Sequence, residues 1–291
     1  MNAGSSPTPS GQRTSTGHEP ATPLEIIKPP ADWFQNGFHR FLETYLKRHF
    51  HAIAFEQTEL PPVIADAPDV PVIVYCNHPS WWDPLLAHFI NRHLFKPRQL
   101  YAPIDAAALQ KYKVFEKLGF FGVEMHSNRG AAAFLKTTAE LFRRPATALW
   151  LTPEGRFADP RDHDAELMPG LAHLCTRTRE ALVVPLSLEY VFWEERLPEC
   201  LFRFGDCVAL SEFPGRTKAD WADDLATRLR ENQTLLAERV IARSSEPFHN
   251  LLRGKQGASG IYDWGRRLKS WMKLRRFDAS HGDQFGSPSG G

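Results

Sequence analysis

The sequence predicts an α/β fold, a central mixed sheet flanked by helices. Two observations predict it. Short runs rich in Val, Ile, Leu and aromatic residues alternate with longer segments of helical spacing, and 42% hydrophobic residues in 291 supply enough apolar surface for one large domain or two small ones. Thirty-five basic against 34 acidic side chains give a net charge of +1, so bulk charge does not indicate a nucleic-acid partner.

Residues 1–30 hold six Pro, three Gly and almost no large apolar side chains. Such a segment cannot offset its ordering entropy and is expected to be disordered, as is the similarly composed tail 279–291. The folded domain is expected over 31–278. From Trp33 to Phe55, Phe34, Phe38, Phe41, Leu42 and Tyr45 recur at helical spacing. Strands are predicted at Val72–Cys76, Gln99–Ala102, Phe120–Met125, Thr147–Thr152, Leu182–Glu189 and Leu201–Ala209. Helices are predicted at Pro84–His93, Ala106–Leu118, Gly130–Phe142 and Gly170–Arg179. Another is expected over 217–242, with Trp221, Leu225, Leu229, Leu235 and Val240 as its core stripe. A Pro inside the predicted strand around Val183–Leu186 fits only an edge or a bulge. Near the C-terminus, Ile261–Phe277 combines Trp264 and Trp271 with six cations and one acid, the composition of a basic amphipathic helix that lies in a membrane interface.

No apolar run reaches the roughly 18–20 residues a membrane-spanning helix needs. The four cysteines (Cys76, Cys175, Cys200 and Cys207) form no CxxC pair and read as buried thiols in a reducing compartment. With no basic segment leading into an apolar one at the N-terminus, a cytoplasmic location is expected. His39, His49 and His51 read as surface or interface residues without a metal-ligand partner, so no metal is expected.

The chemistry centres on Asn77-His78-Pro79-Ser80-Trp81-Trp82-Asp83, which leaves the apolar run VIVYC directly. A His at a strand end, followed by a turn into a helix, stands at the sheet edge where α/β proteins bind ligands. Its imidazole can accept a proton at neutral pH, and a carboxylate on its far nitrogen fixes the tautomer. Asp83 is the nearest such carboxylate. Taken alone, the pair reads rather as a turn residue and an early-helix acid. Two further blocks accompany it: Pro153-Glu154-Gly155-Arg156 after another apolar strand, and Val184-Pro185 within a third.

Together these residues resemble the glycerolipid acyltransferase family. Asn77, His78, Ser80 and Asp83 match its NHxSxxD block in full. Pro153, Glu154, Gly155 and Arg156 match FPEGTR with Thr152 in place of Phe and no Thr before the Arg, and Val184-Pro185 match its fourth block. The second block, a Gly and an Arg bracketing a strand, corresponds to Gly122 and Arg129 with one extra residue, and His126 is the other candidate for the Arg place.

The resemblance implies a single acyltransferase domain that moves a fatty acyl group from acyl-CoA or acyl-carrier protein to a lysophospholipid hydroxyl, with no other cofactor. His78 would be the general base and Asp83 its orienter. Arg156, then Arg129, would grip the acceptor phosphate, with Glu154, Gly155, Asn77 and Ser80 lining the substrate site. An acceptor without phosphate (an aminolipid or glycosylated terpenoid) and a non-catalytic lipid-binding adaptor of the same fold are the alternatives. Cys76 reads as a packed thiol, not a nucleophile. The enzyme is expected to sit peripherally on the inner face of the membrane, through residues 33–55 and 261–277.

Overall fold

A computed structural model describes residues 27–56, 64 and 66–254. The expectations for 1–26, for the basic segment 261–277 and for the tail 279–291 lie outside the described residues. The chain runs α1 (Asp32–His49), β1 (Ala52–Glu56), β2 (Val72–Cys76), α2 (Asp83–Leu94), β3 (Gln99–Asp105), α3 (Ala106–Lys111), a 3-10 turn (Lys113–Leu118), β4 (Phe120–Val123), α4 (Asn128–Leu141), β5 (Thr147–Leu151), α5 (Gly170–Arg177), β6 (Leu182–Val191), β7 (Glu199–Phe204), β8 (Val208–Ala209), α6 (Lys218–Ala242) and β9 (Phe248–Arg253). The strands form one mixed sheet in the order β4-β3-β5-β2-β6-β7-β1-β9, with β8 paired to β6.

From β4 through β6 every pairing is parallel; β6 with β7 and β1 with β9 are antiparallel. Strand β2 is central, and Val72, Val74 and Cys76 pack with α1 and α2 on one face while Ile73 and Tyr75 pack with α4, α5 and α6 on the other. The chain moves outward from β2 to β3 through α2 and returns from β4 to β5 and on to β6 through α4 and α5. Crossovers of one hand require that outward and returning helices lie on opposite faces, and they do. The connections after β2 and β5 therefore diverge and open a crevice at the carboxyl ends of these neighbouring strands.

Pro185 lies in a central strand, not at an edge. Its carbonyl accepts from Gly205 at 2.9 Å, in the gap between β7 and β8. The N–H and C=O of one strand residue point to the same side, so the proline's missing donor falls where the neighbouring strand is interrupted, and no ladder bond is lost. The predicted single strand Leu201–Ala209 is thereby split in two. Strand β1 replaces what reads as the end of an amphipathic helix, and β9 is not among the predicted strands.

In α6 a Thr217–Asp220 capping box fixes the start. The predicted stripe needs one correction: Leu235 is exposed and Leu236 is buried. At 3.6 residues per turn Leu235 sits about 120° round from Leu229, and Leu236 only about 20°. Along α1, Leu42 and Leu46 are buried while Trp33 and Phe41 point outward. His39 stacks on Phe89 of α2, and burial lowers its pKa to about 4, with His93, Arg92 and Lys96 acting in the same direction against Glu43. Burial likewise lowers that of His93. Leu229→Ala should cost about 2–5 kcal/mol in denaturant unfolding through the cavity it leaves, whereas Leu235→Ala should change stability by less than about 0.5 kcal/mol.

Candidate active site

The alternation of β2 carries Val72, Val74 and Cys76 to the α1/α2 face, and His78 continues that parity just past the strand end. Its side chain thus emerges where α2 begins. Asp83, the first residue of α2, is 3% exposed, and its Oδ2 lies 2.6 Å from His78 Nδ1. A carboxylate only accepts, so Nδ1 carries a proton, and in the neutral ring Nε2 is the bare nitrogen. No bond to Nε2 is made by any described residue. Two more donors hold the carboxylate: the Ser80 backbone N–H at 3.1 Å on Oδ2 and the Tyr190 hydroxyl at 2.5 Å on Oδ1.

Tyr190 is absent from the sequence reading. It reaches Asp83 because β6 keeps Leu182, Val184, Leu186 and Leu188 on the same face and Tyr190 is the next residue of that series. Burial pushes its phenol well above the usual range, helped by Cys200 and by Asp83 itself, so the hydroxyl remains a donor. The signal available in sequence was the parity of an apolar strand that parallels β2. Ser80 serves the turn: its Oγ accepts from the Trp82 N–H at 3.3 Å.

The PEGR segment builds the site more than it lines it. Glu154, whose side chain is fully buried, accepts the His78 backbone N–H at 2.9 Å and pairs with Arg230 of α6 at 2.9 Å. Arg230 also bonds the Ala165 carbonyl and Gln233. Asn77 is likewise buried and spent, donating to the Leu188 carbonyl at 3.0 Å and accepting from the Leu188 N–H at 2.9 Å. These bonds continue the β2–β6 pairing past the strand end. Both residues, expected at the substrate surface, instead position His78. Gly155 adopts φ +63°, and a Cβ there would lie 2.4 Å from Met168 Sδ, so what approaches this glycine is a side chain of the protein, not a ligand.

Arg156 leaves the end of β5 beside β2. It is exposed and, among the described residues, held by a 3.6 Å contact with Asp162 and a 3.4 Å bond to the Phe157 carbonyl, so its guanidinium can turn to an anion. The ring of Phe157, also exposed, stands 4.5 Å from that of His78. Arg129 is exposed at the start of α4 after β4. That is the same sheet edge but three strands from β2, an offset of about 14 Å at strand spacing. His126, the other candidate for its block, is exposed with φ 56°. The Cys76 thiol is fully enclosed, donates to the Leu151 carbonyl at 3.5 Å and is pushed well up by burial and by Asp83, which removes it as a nucleophile.

A base with a fixed tautomer, an available guanidinium and an aromatic wall at the carboxyl edge of a parallel sheet form a site suited to activating a hydroxyl. Residues 53–189 match the family model described as Acyltransferase, and this part of the chain is an acyltransferase domain of that family. The reaction class is therefore acyl transfer. No curated protein matches the chain.

The Tyr190→Phe variant should still fold, destabilised by about 1–3 kcal/mol, and leave Asp83 Oδ1 unbonded. Steady-state kinetics on it should show kcat reduced about tenfold, the equivalent of about 1.4 kcal/mol and near the lower end of what a hydrogen bond to a charged group contributes.

Proposed function

We propose that the enzyme transfers a fatty acyl group from an acyl thioester, acyl-CoA or acyl-carrier protein, to the hydroxyl of a lysophospholipid such as 1-acyl-glycerol 3-phosphate. The observation that carries this reading is the 2.6 Å contact between His78 Nδ1 and Asp83, which leaves Nε2 without a bond to any described residue at the strand exit next to the one that carries Arg156. His78 Nε2 takes the proton of the acceptor hydroxyl as its oxygen attacks the thioester carbonyl, and the imidazolium that forms is stabilised by Asp83. Collapse of the tetrahedral adduct breaks the C–S bond, and the same proton passes from His78 to the departing thiolate, giving ester and thiol. The acyl group goes directly from donor to acceptor.

Arg156 binds the acceptor phosphate, since a guanidinium fork makes two parallel charge-assisted bonds to it. The exposure of the side chain and its weak tie to Asp162 support this role. Arg129, three strands away, is the weaker candidate. A chain of ring contacts from Phe41 through Tyr45 and Trp82 to Trp81 leads from α1 to the His78 turn, with Phe41 and Trp81 largely exposed. Such a ridge, with Lys47 and Arg48 exposed at the end of α1, is suited to rest in the interface of a bilayer that presents the acceptor. No described helix is long and apolar enough to cross a membrane. A peripheral position on the cytoplasmic face fits both the thioester donors and this ridge.

Purified protein incubated with labelled acyl-CoA and a panel of lysolipids, with and without phosphate, tests the assignment by mass spectrometry of the product. The phosphate-bearing acceptor should be acylated, His78→Ala should abolish transfer without unfolding the protein, and Asp83→Asn should impair it severely. Wild-type rates in a folded His78→Ala protein would end the mechanism. Under the same conditions Arg156→Ala should raise KM for the phosphate acceptor about 10- to 100-fold, the equivalent of roughly 1.5–3 kcal/mol, and leave KM for the thioester little changed. Equal effects on both substrates would move the phosphate site elsewhere.

A further inference from the structure

Away from the crevice, three metal-ligating side chains converge between α1 and α2. Glu43 Oε1 lies 3.5 Å from His93 Nε2 and 3.9 Å from His39 Nε2, and the three ligand atoms all fall within 4.8 Å of one another. This corrects the expectation that His39 has no carboxylate partner: Glu43 is one helical turn on, and α2 brings His93 to both. At these separations one carboxylate oxygen is shared between two imidazole nitrogens without a short bond to either. A carboxylate oxygen faced by two imidazole nitrogens is an arrangement that a cation at their centre would satisfy.

We propose that His39, Glu43 and His93 form a zinc-type divalent metal site that staples α1 to the last turn of α2. Two imidazoles and a carboxylate suit Zn²⁺, with water as the fourth ligand. Bonds of about 2.0–2.1 Å place tetrahedral ligand atoms roughly 3.3 Å apart, so the observed separations need to contract by a few tenths of an ångström to about 1.5 Å at most. All three side chains are partly solvent-accessible, at 17%, 34% and 29%, which gives a metal an entry path. His39 Nδ1 is buried with no hydrogen-bond partner among the described residues. The same holds for both nitrogens of His88, which is 1% exposed and whose ring centroid is 5.9 Å from that of His39. Metal on His39 Nε2 would fix its proton on Nδ1, on the ring that packs beside that of His88. Arg92 and Lys96 act on the same rings and oppose a cation. Helix α2 thus carries Asp83 in its first turn and His93 in its last, so the metal would pin the far end of the element that orients His78.

The test uses the full chain, stripped with chelator, dialysed and titrated with Co²⁺ and then Zn²⁺. Wild type should bind one Co²⁺ per chain with the intense visible bands of a four-coordinate site, and Zn²⁺ should displace it and raise Tm by several degrees. His93→Ala and Glu43→Gln, both on partly exposed positions, should lose affinity at least tenfold and lose the Tm rise; Lys96→Ala should tighten binding. His78→Ala should bind metal as wild type does, and its failure to do so would place the metal at the catalytic histidine and overturn the proposal. Saturable binding that persists in both ligand variants, or no binding and no Tm shift in wild type at millimolar metal, would also overturn it.

Discussion

One buried carboxylate organises the site. Asp83 is 3% exposed, and an ionised carboxylate in that position is tolerable only when its oxygens are filled. His78 Nδ1, the Ser80 N–H and the Tyr190 hydroxyl fill them from two segments distant in sequence. The first two come from the turn between β2 and α2, the third from the end of β6. Their convergence is therefore a test of the sheet order, because only neighbouring parallel strands in matching parity bring residues 78 and 190 to the same helix start. The same arrangement that makes the carboxylate affordable fixes the imidazole tautomer on which proton transfer depends.

A buried ion pair fixes the backbone beneath the base. Glu154 and Arg230 tie the exit of β5 to α6, and the other oxygen of Glu154 holds the His78 N–H. Removing one member of such a pair leaves an uncompensated charge and costs about 3–5 kcal/mol, so this carboxylate serves folding as well as the placement of His78. The motif residues thus divide by task. His78 and Arg156 face the crevice, whereas Asn77, Glu154 and Gly155 hold the two strand exits in register. Motif membership alone does not separate these roles; burial and hydrogen-bond partners do.

Much of this was legible in the sequence. The parallel core strands were visible as apolar runs of the right length, Val72–Cys76 among them, and His78 and Asp83 stood out because a strand end followed by a turn displays its first residues at the sheet edge. What was hidden depended on tertiary contact. Ala52–Glu56 continues the apolar spacing of α1 without a break, so nothing local marks it as a strand, and Phe248–Arg253 is interrupted by His249 and Asn250. Tyr190 and Arg230 lie far from the motifs in sequence and meet them only through the sheet and through α6. Leu235 and Leu236 differ by one position, and the helical phase carried over fourteen residues decides which is buried. His39 and Glu43 were one turn apart in plain sight, but their third partner, His93, is supplied by another helix.

The most direct measurement of the central claim is the protonation state of the His78 ring, read by nitrogen-15 NMR on protein labelled at histidine, with His78→Ala assigning the signal. The neutral form of the ring should carry its hydrogen on Nδ1 and leave Nε2 bare, and Asp83→Asn should lose that fixed tautomer. A ring protonated on Nε2 with Nδ1 bare would contradict it, because the nitrogen that must accept the hydroxyl proton would already carry one.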